Sequence, residues 1–298
     1  MESPSVLSFF IFIHQSSLTF FAHAKINFGL FILERRPDGY HDIETVFHRI
    51  DLSDEIELLR SPEIRVITTD PDVPSNERNI CYRAAQILRH QLGVKEGATI
   101  TLRKNIPVGA GLGGGSADAG ALLRELPGFW GRSIEEPALR QIALQLGSDV
   151  PYFLNPGSAL ARGRGELLDY FTLDIPYTIL LCYPHIHVST AWAYANVTPD
   201  ANASQPDLRG LLLHGLKTPA RLVRELRNDF EPVVFRHWPE ILGVKEAMLR
   251  CGAQYASMSG SGSAVFGLFS NLDAARDADG VLSAKGYVTF HTNAHFLP

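Results

Sequence analysis

Pro107-Val108-Gly109-Ala110-Gly111-Leu112-Gly113-Gly114-Gly115-Ser116-Ala117 packs five glycines into the seven positions from 109 to 115. The stretch before it, Ala98 to Lys104, alternates apolar and polar residues as a half-buried strand does. The stretch after it, Ser116 to Leu126, is rich in Ala and Leu and has helix composition. The order is therefore strand, glycine loop, helix. Glycine admits positive φ and lets a ligand approach the main chain closely. Successive amides can then point into one concavity, and the helix start adds its unpaired N–H groups and the positive end of its dipole. A polyphosphate uses all of these features together. The duller alternative is a flexible surface loop or a tight backbone crossing. The loop is not a Walker A loop, because the chain has no Gly-Lys dipeptide. G-x-G-x-x-G fits Gly109, Gly111 and Gly114 only by force, and Asp118 occupies the last position of a G-x-S-x-G elbow centred on Ser116.

Working outward, Leu18 to Leu33 reads as strand, interrupted by Lys25 and Asn27, and Arg35 to Gly39 reads as a turn. Ile56 to Leu59 and Ile64 to Thr68 read as strands, and Asn79 as the N-cap of a helix ending near Gly93. Ser133 with Glu136 suggests a capping box for a helix that stops at Gly147. Beyond Glu166, two strand-like runs lie between Leu167 and Pro184. Leu211 to Arg227 and Pro239 to Cys251 read as helical, and Ser263 to Phe269 as strand. Thr198 to Pro206 is a polar loop.

The chain's 298 residues fit two domains at roughly 100–200 residues each. The expected division is an extension over 1–17, an N-terminal domain over 18–165 and a C-terminal domain over 166–298, with the boundary falling between Gly165 and Pro176. Residues 1–17 read as a tail or an added edge strand. A secretion signal is the lesser alternative there, because the segment has Glu2, no basic start, and an apolar run far short of the roughly 20 residues that cross a bilayer. A net charge of −5 argues against bulk binding to nucleic acid or anionic membrane. Three scattered cysteines form no disulfide framework or zinc motif, which fits a reducing cytoplasm. His185 and His187 would share a strand face but lack a third ligand, so no metal site is assigned to side chains.

The glycine loop resembles the ATP loop of the GHMP kinases, the group of galactokinase, homoserine kinase and mevalonate kinase. Ser257-Met-Ser-Gly-Ser-Gly-Ser-Ala264 resembles that family's third motif, and Ala24-Lys-Ile-Asn27 its first. Four stretches resemble one branch more closely: Ala24 to Leu30, Arg36-Pro-Asp-Gly-Tyr-His41, Leu146-Gly-Ser-Asp-Val-Pro-Tyr-Phe153, and Gly157 to Glu166. That branch transfers phosphate from ATP to the 2-hydroxyl of a cytidine-diphosphate-linked methylerythritol, in the non-mevalonate route to isoprenoids. The matches run from about Phe20 to Phe269. Ser148, where the family often has Ala, and Asn155-Pro156 before Gly157 are small departures.

The resemblance implies an α+β fold with a ribosomal S5-like N-terminal domain, a ferredoxin-like C-terminal domain and a cleft between them. It implies ATP with Mg²⁺, a small-molecule acceptor, and a monomer or weak homodimer. Pro107, Val108, Gly109, Ala110, Gly111, Leu112, Gly113, Gly114, Gly115, Ser116 and Ala117 would cradle ATP. Ser259, Gly260, Ser261 and Gly262 would lie beside its phosphates. An Asp after a helix-ending glycine is by itself a turn residue, but the resemblance puts the catalytic aspartate at Asp149. It puts Lys25 beside Asp149, where an edge-strand lysine reaching to water is the alternative. Asn27, two residues on, shares the strand face of Lys25. Tyr40 and Tyr194 would stack on cytosine while His41 meets its edge, with Thr190 nearby. Ser116 would be an N-cap or would meet Mg²⁺ or phosphate. The competing readings are another GHMP kinase, disfavoured by the P-D-G-Y-H turn, and a silent nucleotide-binding regulator, disfavoured by keeping both Lys25 and Asp149. A structural protein that binds no nucleotide is a remote third.

Overall fold

Alternating and branched residues build two antiparallel-rich sheets, seen in a computed structural model that describes residues 17–198, 207–292 and 296. The expectations for residues 1–16 and for 199–206 of the polar loop lie outside the described residues. The first sheet contains β1 (Leu18–Arg35), β2 (His41–Ser61), β3 (Arg65–Thr68), β4 (Gly97–Arg103), β5 (Ser158–Gly163) and β6 (Leu167–Phe171). Its order is β3-β4-β2-β5-β6, with β1 also paired to β2. All pairs are antiparallel except β3 with β4. β1 and β2 form a long hairpin around the Pro-Asp-Gly turn, where Gly39 takes φ 88° and Arg36 N–H donates to Tyr40 O at 2.8 Å.

Three helices cover one face of this sheet: α1 (Ile80–Gln91), α2 (Gly114–Phe129) and α3 (Glu136–Leu146). Asn79 caps α1 as expected, its side chain accepting from Cys81 N–H at 2.8 Å. Two other expected helix starts differ. α2 begins at Gly114 and is capped by Gly113 at φ 70°, so Ser116 lies inside the first turn. α3 is entered through Glu135 without a side-chain cap, so the Ser133–Glu136 box does not form; Pro137, tolerated in a first turn, starts the helix instead. A 3₁₀ turn over Val150–Leu154 follows α3.

The second sheet contains β7 (Thr178–Tyr183), β8 (Tyr255–Met258), β9 (Val265–Phe269) and β10 (Val288–Thr292), all antiparallel in the order β10-β7-β9-β8. Between and after these strands lie α4 (Thr190–Asn196), α5 (Leu208–Gly215), α6 (Pro219–Glu225), α7 (Glu231–His237), α8 (Pro239–Arg250) and α9 (Leu272–Ser283). The single helical run expected over 211–227 is split between α5 and α6, because Pro219 lacks the N–H needed to continue a helix. His185 follows β7 in an irregular segment at φ 58°, so His185 and His187 do not share a strand face. β6 pairs with β5 and β7 with the second sheet. We propose that the domains divide between Phe171 and Thr178 rather than at 165.

β1 is the wall between the two halves. Ala24 to Ile32 are buried without alternation, because both faces of the strand are covered. Ala24, Ile26 and Phe28 join Ile179, Leu181 and Phe266 in one core, with the Phe28 and Phe266 rings edge-on at 5.2 Å. The second half also pairs with β1 through its backbone: Leu30 N–H donates to Arg227 O at 2.8 Å and Asp229 N–H donates to Leu30 O at 2.9 Å.

Candidate active site

The glycine loop leaves β4 and reaches α2 through three left-handed glycines, Gly109 at φ 68°, Gly111 at 78° and Gly113 at 70°. Gly111 is also in close backbone contact, since a Cβ there would run into the carbonyl oxygen of Ser259. The loop ends at the N-terminus of a sixteen-residue helix, whose first amides lack intrahelical acceptors. Pro107 to Ser116 line a cavity of about 490 Å³, together with Lys25, Asn27, Asp149, Gly260 and Ser261. Ala117 lies buried beneath it in α2.

The second glycine turn is fastened to this loop. Ser259 Oγ donates to Gly111 O at 2.9 Å and accepts from Asn27 N–H at 3.2 Å, while Ala264 N–H donates to Ala110 O at 3.0 Å. Asn228 Nδ2 holds the turn from behind, donating to Met258 O and Gly260 O, both at 2.8 Å. Ser261 Oγ lies 3.0 Å from Thr190 Oγ1, and Gly262 closes the turn at φ 89°.

Lys25 and Asn27 project from one face of β1. Lys25 is 4% exposed, and its Nζ donates to Asn27 Oδ1 at 2.6 Å and lies 3.6 Å from Asp149 Oδ2. Burial pulls the Lys25 ammonium below the usual lysine range, and the charge of Asp149 opposes that pull. Asn27 Nδ2 donates to Thr45 Oγ1 at 3.0 Å, which fixes the amide so that its oxygen faces Lys25. Asp149 sits where the chain leaves α3 and enters the 3₁₀ turn, with its side chain 33% exposed.

A second cavity, about 790 Å³, adjoins the first and is lined by Tyr40, His41, Ser148, Tyr194 and neighbours. Asp149, Arg164, Thr190 and Tyr194 line both cavities, so the carboxylate stands at their junction. The three aromatic residues expected around a base all line this cavity. His41 stacks on Tyr194 at 5.1 Å and 16°, while Tyr40 is 55% exposed and has the Arg164 guanidinium 5.0 Å from its ring. Burial raises the Tyr194 phenol above its ordinary range and lowers His41, with Arg35 adding to the latter. Arg164, Thr45 and Asn228 escaped the sequence reading. Arg164 lies in a quoted motif without any pattern to single it out, and Thr45 and Asn228 act only through partners on distant segments.

Comparison with known proteins now bears on this arrangement. The families described as GHMP kinases N terminal domain and GHMP kinases C terminal match residues 79–157 and 208–288. A protein of Prosthecochloris aestuarii named 4-diphosphocytidyl-2-C-methyl-D-erythritol kinase is 46% identical over 272 residues, covering 91% of this chain and 95% of the relative. A protein of the same name from Chlorobium limicola is 43% identical over 92% of this chain and 96% of its own length. Among solved structures, a 4-(cytidine 5'-diphospho)-2C-methyl-D-erythritol kinase superposes with a TM-score of 0.78 at 35% identity, covering 92% of this chain and 98% of the other. A homoserine kinase from Cytophaga hutchinsonii shares the fold, with a TM-score of 0.72 at 21% identity over 96% of this chain and 97% of its own. Two glycine turns locked together beside a buried lysine and a carboxylate thus occur in a chain that belongs to the GHMP kinase family and, within it, to the 4-diphosphocytidyl-2-C-methyl-D-erythritol kinases.

Proposed function

We propose that this chain transfers the γ-phosphoryl group of ATP to the 2-hydroxyl of 4-diphosphocytidyl-2-C-methyl-D-erythritol, in the methylerythritol phosphate route to isoprenoids. The observation that carries the reading is the placement of the Lys25–Asp149 pair at the junction of a glycine-lined cavity and an aromatic-lined one. Phosphoryl transfer asks mainly for positioning and for stabilisation of developing charge, and the two cavities divide that work. The glycine loop and the Ser259–Gly262 turn would hold the triphosphate through main-chain amides. The cytidylyl end of the acceptor would lie against Tyr40, His41 and Tyr194, with Thr190 beside it. Its hydroxyl would then meet Asp149, which accepts or orients the proton. Lys25, held by Asn27, would stabilise the forming alkoxide and the moving phosphoryl group.

Magnesium bound with ATP would neutralise phosphate charge. The hydroxyl of Ser116 lines the cavity and is available to it. Among the described residues no group of three His, Cys, Asp or Glu side chains is gathered for a metal. An ion held mainly by phosphate oxygens and water needs no such group. No helix among the described residues is long and apolar enough to cross a membrane. We place the activity in the cytoplasm, where the cysteine usage fits.

The test is ADP release from Mg-ATP with a panel of the cytidylyl compound, mevalonate, homoserine and galactose, using wild type and Asp149→Asn. Turnover of the cytidylyl compound alone, falling about a hundredfold or more in the variant, is expected. Turnover of another alcohol would discard the Tyr40, His41 and Tyr194 roles. ATP binding without any turnover would favour a silent regulator.

A further inference from the structure

Lys104 follows the end of β4, just ahead of the glycine loop, and its side chain is only 4% exposed. Its ammonium lies between two carboxylates, Asp118 Oδ2 at 2.5 Å and Asp54 Oδ2 in direct contact. Asp54 belongs to β2 and Asp118 to α2, and both are buried. The other oxygen of Asp54 accepts from the backbone N–H groups of Asn105 at 2.5 Å and Ile106 at 2.9 Å. One ammonium thus ties the central strand, the segment entering the glycine loop and the helix leaving it. Lys104 and Asp118 also line the glycine-walled cavity, and Asp118 Oδ1 is buried with no hydrogen-bond partner.

A buried ion cluster is a poor device for stability, since apolar residues of the same volume commonly serve as well or better. Charge offers fixed geometry instead. We propose that Lys104 is a positioning residue for nucleotide binding, which fixes both ends of the glycine loop by bridging Asp54 and Asp118. The role rests on the reading of that cavity as the ATP site. Lys104 need not touch the nucleotide; it sets where the amides that do so are held.

The cluster also couples to protons. The titratable groups facing it are Asp54 from β2, Lys104 beyond β4, Asp118 from α2 and the buried Cys81 thiol from α1. Burial pushes the Asp118 carboxyl up to about 7; Lys104 opposes that rise and Asp54 adds to it. With both carboxylates ionised the cluster carries a net negative charge beside a polyanion site. Bound phosphates would favour the protonated form of Asp118 in the same direction.

The experiment is calorimetric titration with Mg-ADP at pH 7 for wild type, Lys104→Met and Asp118→Leu. Steady-state KM values for ATP and acceptor, and thermal melts, accompany it. Lys104→Met is expected to weaken Mg-ADP binding tenfold or more and to raise the ATP KM similarly, with the acceptor KM changing less than twofold. Asp118→Leu, of similar volume and unable to accept from Lys104, removes the α2 end of the bridge and is expected to weaken Mg-ADP binding in the same way. Unchanged Mg-ADP affinity in a folded Lys104→Met, or ATP and acceptor KM values rising together, would overturn the role. If Lys104→Met does not fold, unchanged Mg-ADP affinity in a folded Asp118→Leu overturns it instead. A folded wild type that binds no Mg-ADP removes the nucleotide reading of the cavity, and this role with it.

Discussion

At the scale of single residues, Lys25 shows a site maintained against stability. Its ammonium is buried in β1 with one neutral hydrogen-bond partner at 2.6 Å and a carboxylate at 3.6 Å. Because folding depresses its pKa, the folded state favours the neutral form, and the charge opposes stability at neutral pH. That opposition eases as pH rises through the folded-state pKa toward the ordinary lysine value of 10.5. Lys25→Met keeps the volume and leaves Asp149 a third exposed and open to water, but takes from the buried Asn27 Oδ1 its 2.6 Å donor, leaving it Ser259 Oγ at 3.5 Å. Relief of the buried charge offsets that loss, so the variant is expected to stay within about 1 kcal/mol of wild type by thermal melting, while kcat falls about a hundredfold or more. A clear drop in melting temperature would show Lys25 to be structural. If the charge is needed, the alkaline limb of the wild-type kcat profile should fall below pH 10.5. Lys25 and Asn27 could be paired from sequence because residues two apart on a strand share a face. Arg164 could not, because its position between the two cavities depends on how the β5–β6 turn meets Tyr40 of the β1–β2 hairpin.

At the scale of elements, α2 does two things: its N-terminus receives the glycine loop, and its middle sets the 3₁₀ turn that begins after Asp149. Gly120 is the contact point, since a Cβ there would overlap the Cβ of Phe153 and come within 3.3 Å of its backbone. Alanine at an exposed helix position would gain about 1 kcal/mol over glycine. Here the overlap wins, because Phe153 is itself buried and has nowhere to go. Gly120→Ala is expected to lose about 1–3 kcal/mol by urea unfolding and to lower kcat at least tenfold, since displacing the turn moves Asp149. A stabilised, fully active variant would mean the turn is not set by this contact. The strand–loop–helix order around the glycines was legible because glycine density and period are local signals. The start of α3 was not: the cap falls at Glu135, with Pro137 in the first turn, and the Ser133–Glu136 pattern goes unused.

At the scale of the whole molecule, β1 of the first sheet packs against the second half, so the site and the interface between the halves are built on the same strand. His48 reports on that junction. Its ring lies edge-on to Phe28 at 5.9 Å, its Nδ1 is 2.8 Å from Ser158 Oγ, and burial lowers its pKa to about 4. A histidine whose folded pKa is depressed contributes stability that is complete above about pH 6.5 and is lost as pH falls toward 4. The loss is about 2 kcal/mol, allowing for the part of the ring that water reaches. Urea unfolding from pH 7 to 4 should therefore show a steeper decline for wild type than for His48→Gln; parallel declines would exclude the residue as a cause. Taken by itself, the amino-acid sequence determined β1, β3, β4, the two glycine turns and the P-D-G-Y-H turn, because these follow from backbone freedom and side-chain period within a few residues, while the family motifs were legible through resemblance and β5, β8 and β10 carried no such local signal. Only the tertiary structure decided that Asn27 holds the Lys25 ammonium 3.6 Å from Asp149, that His41 stacks on Tyr194, and that Lys104 binds Asp54 and Asp118 at once. Those meetings depend on strand register, on bulges in β1 and on the packing of one sheet against the other, each a sum over many residues far apart in the chain.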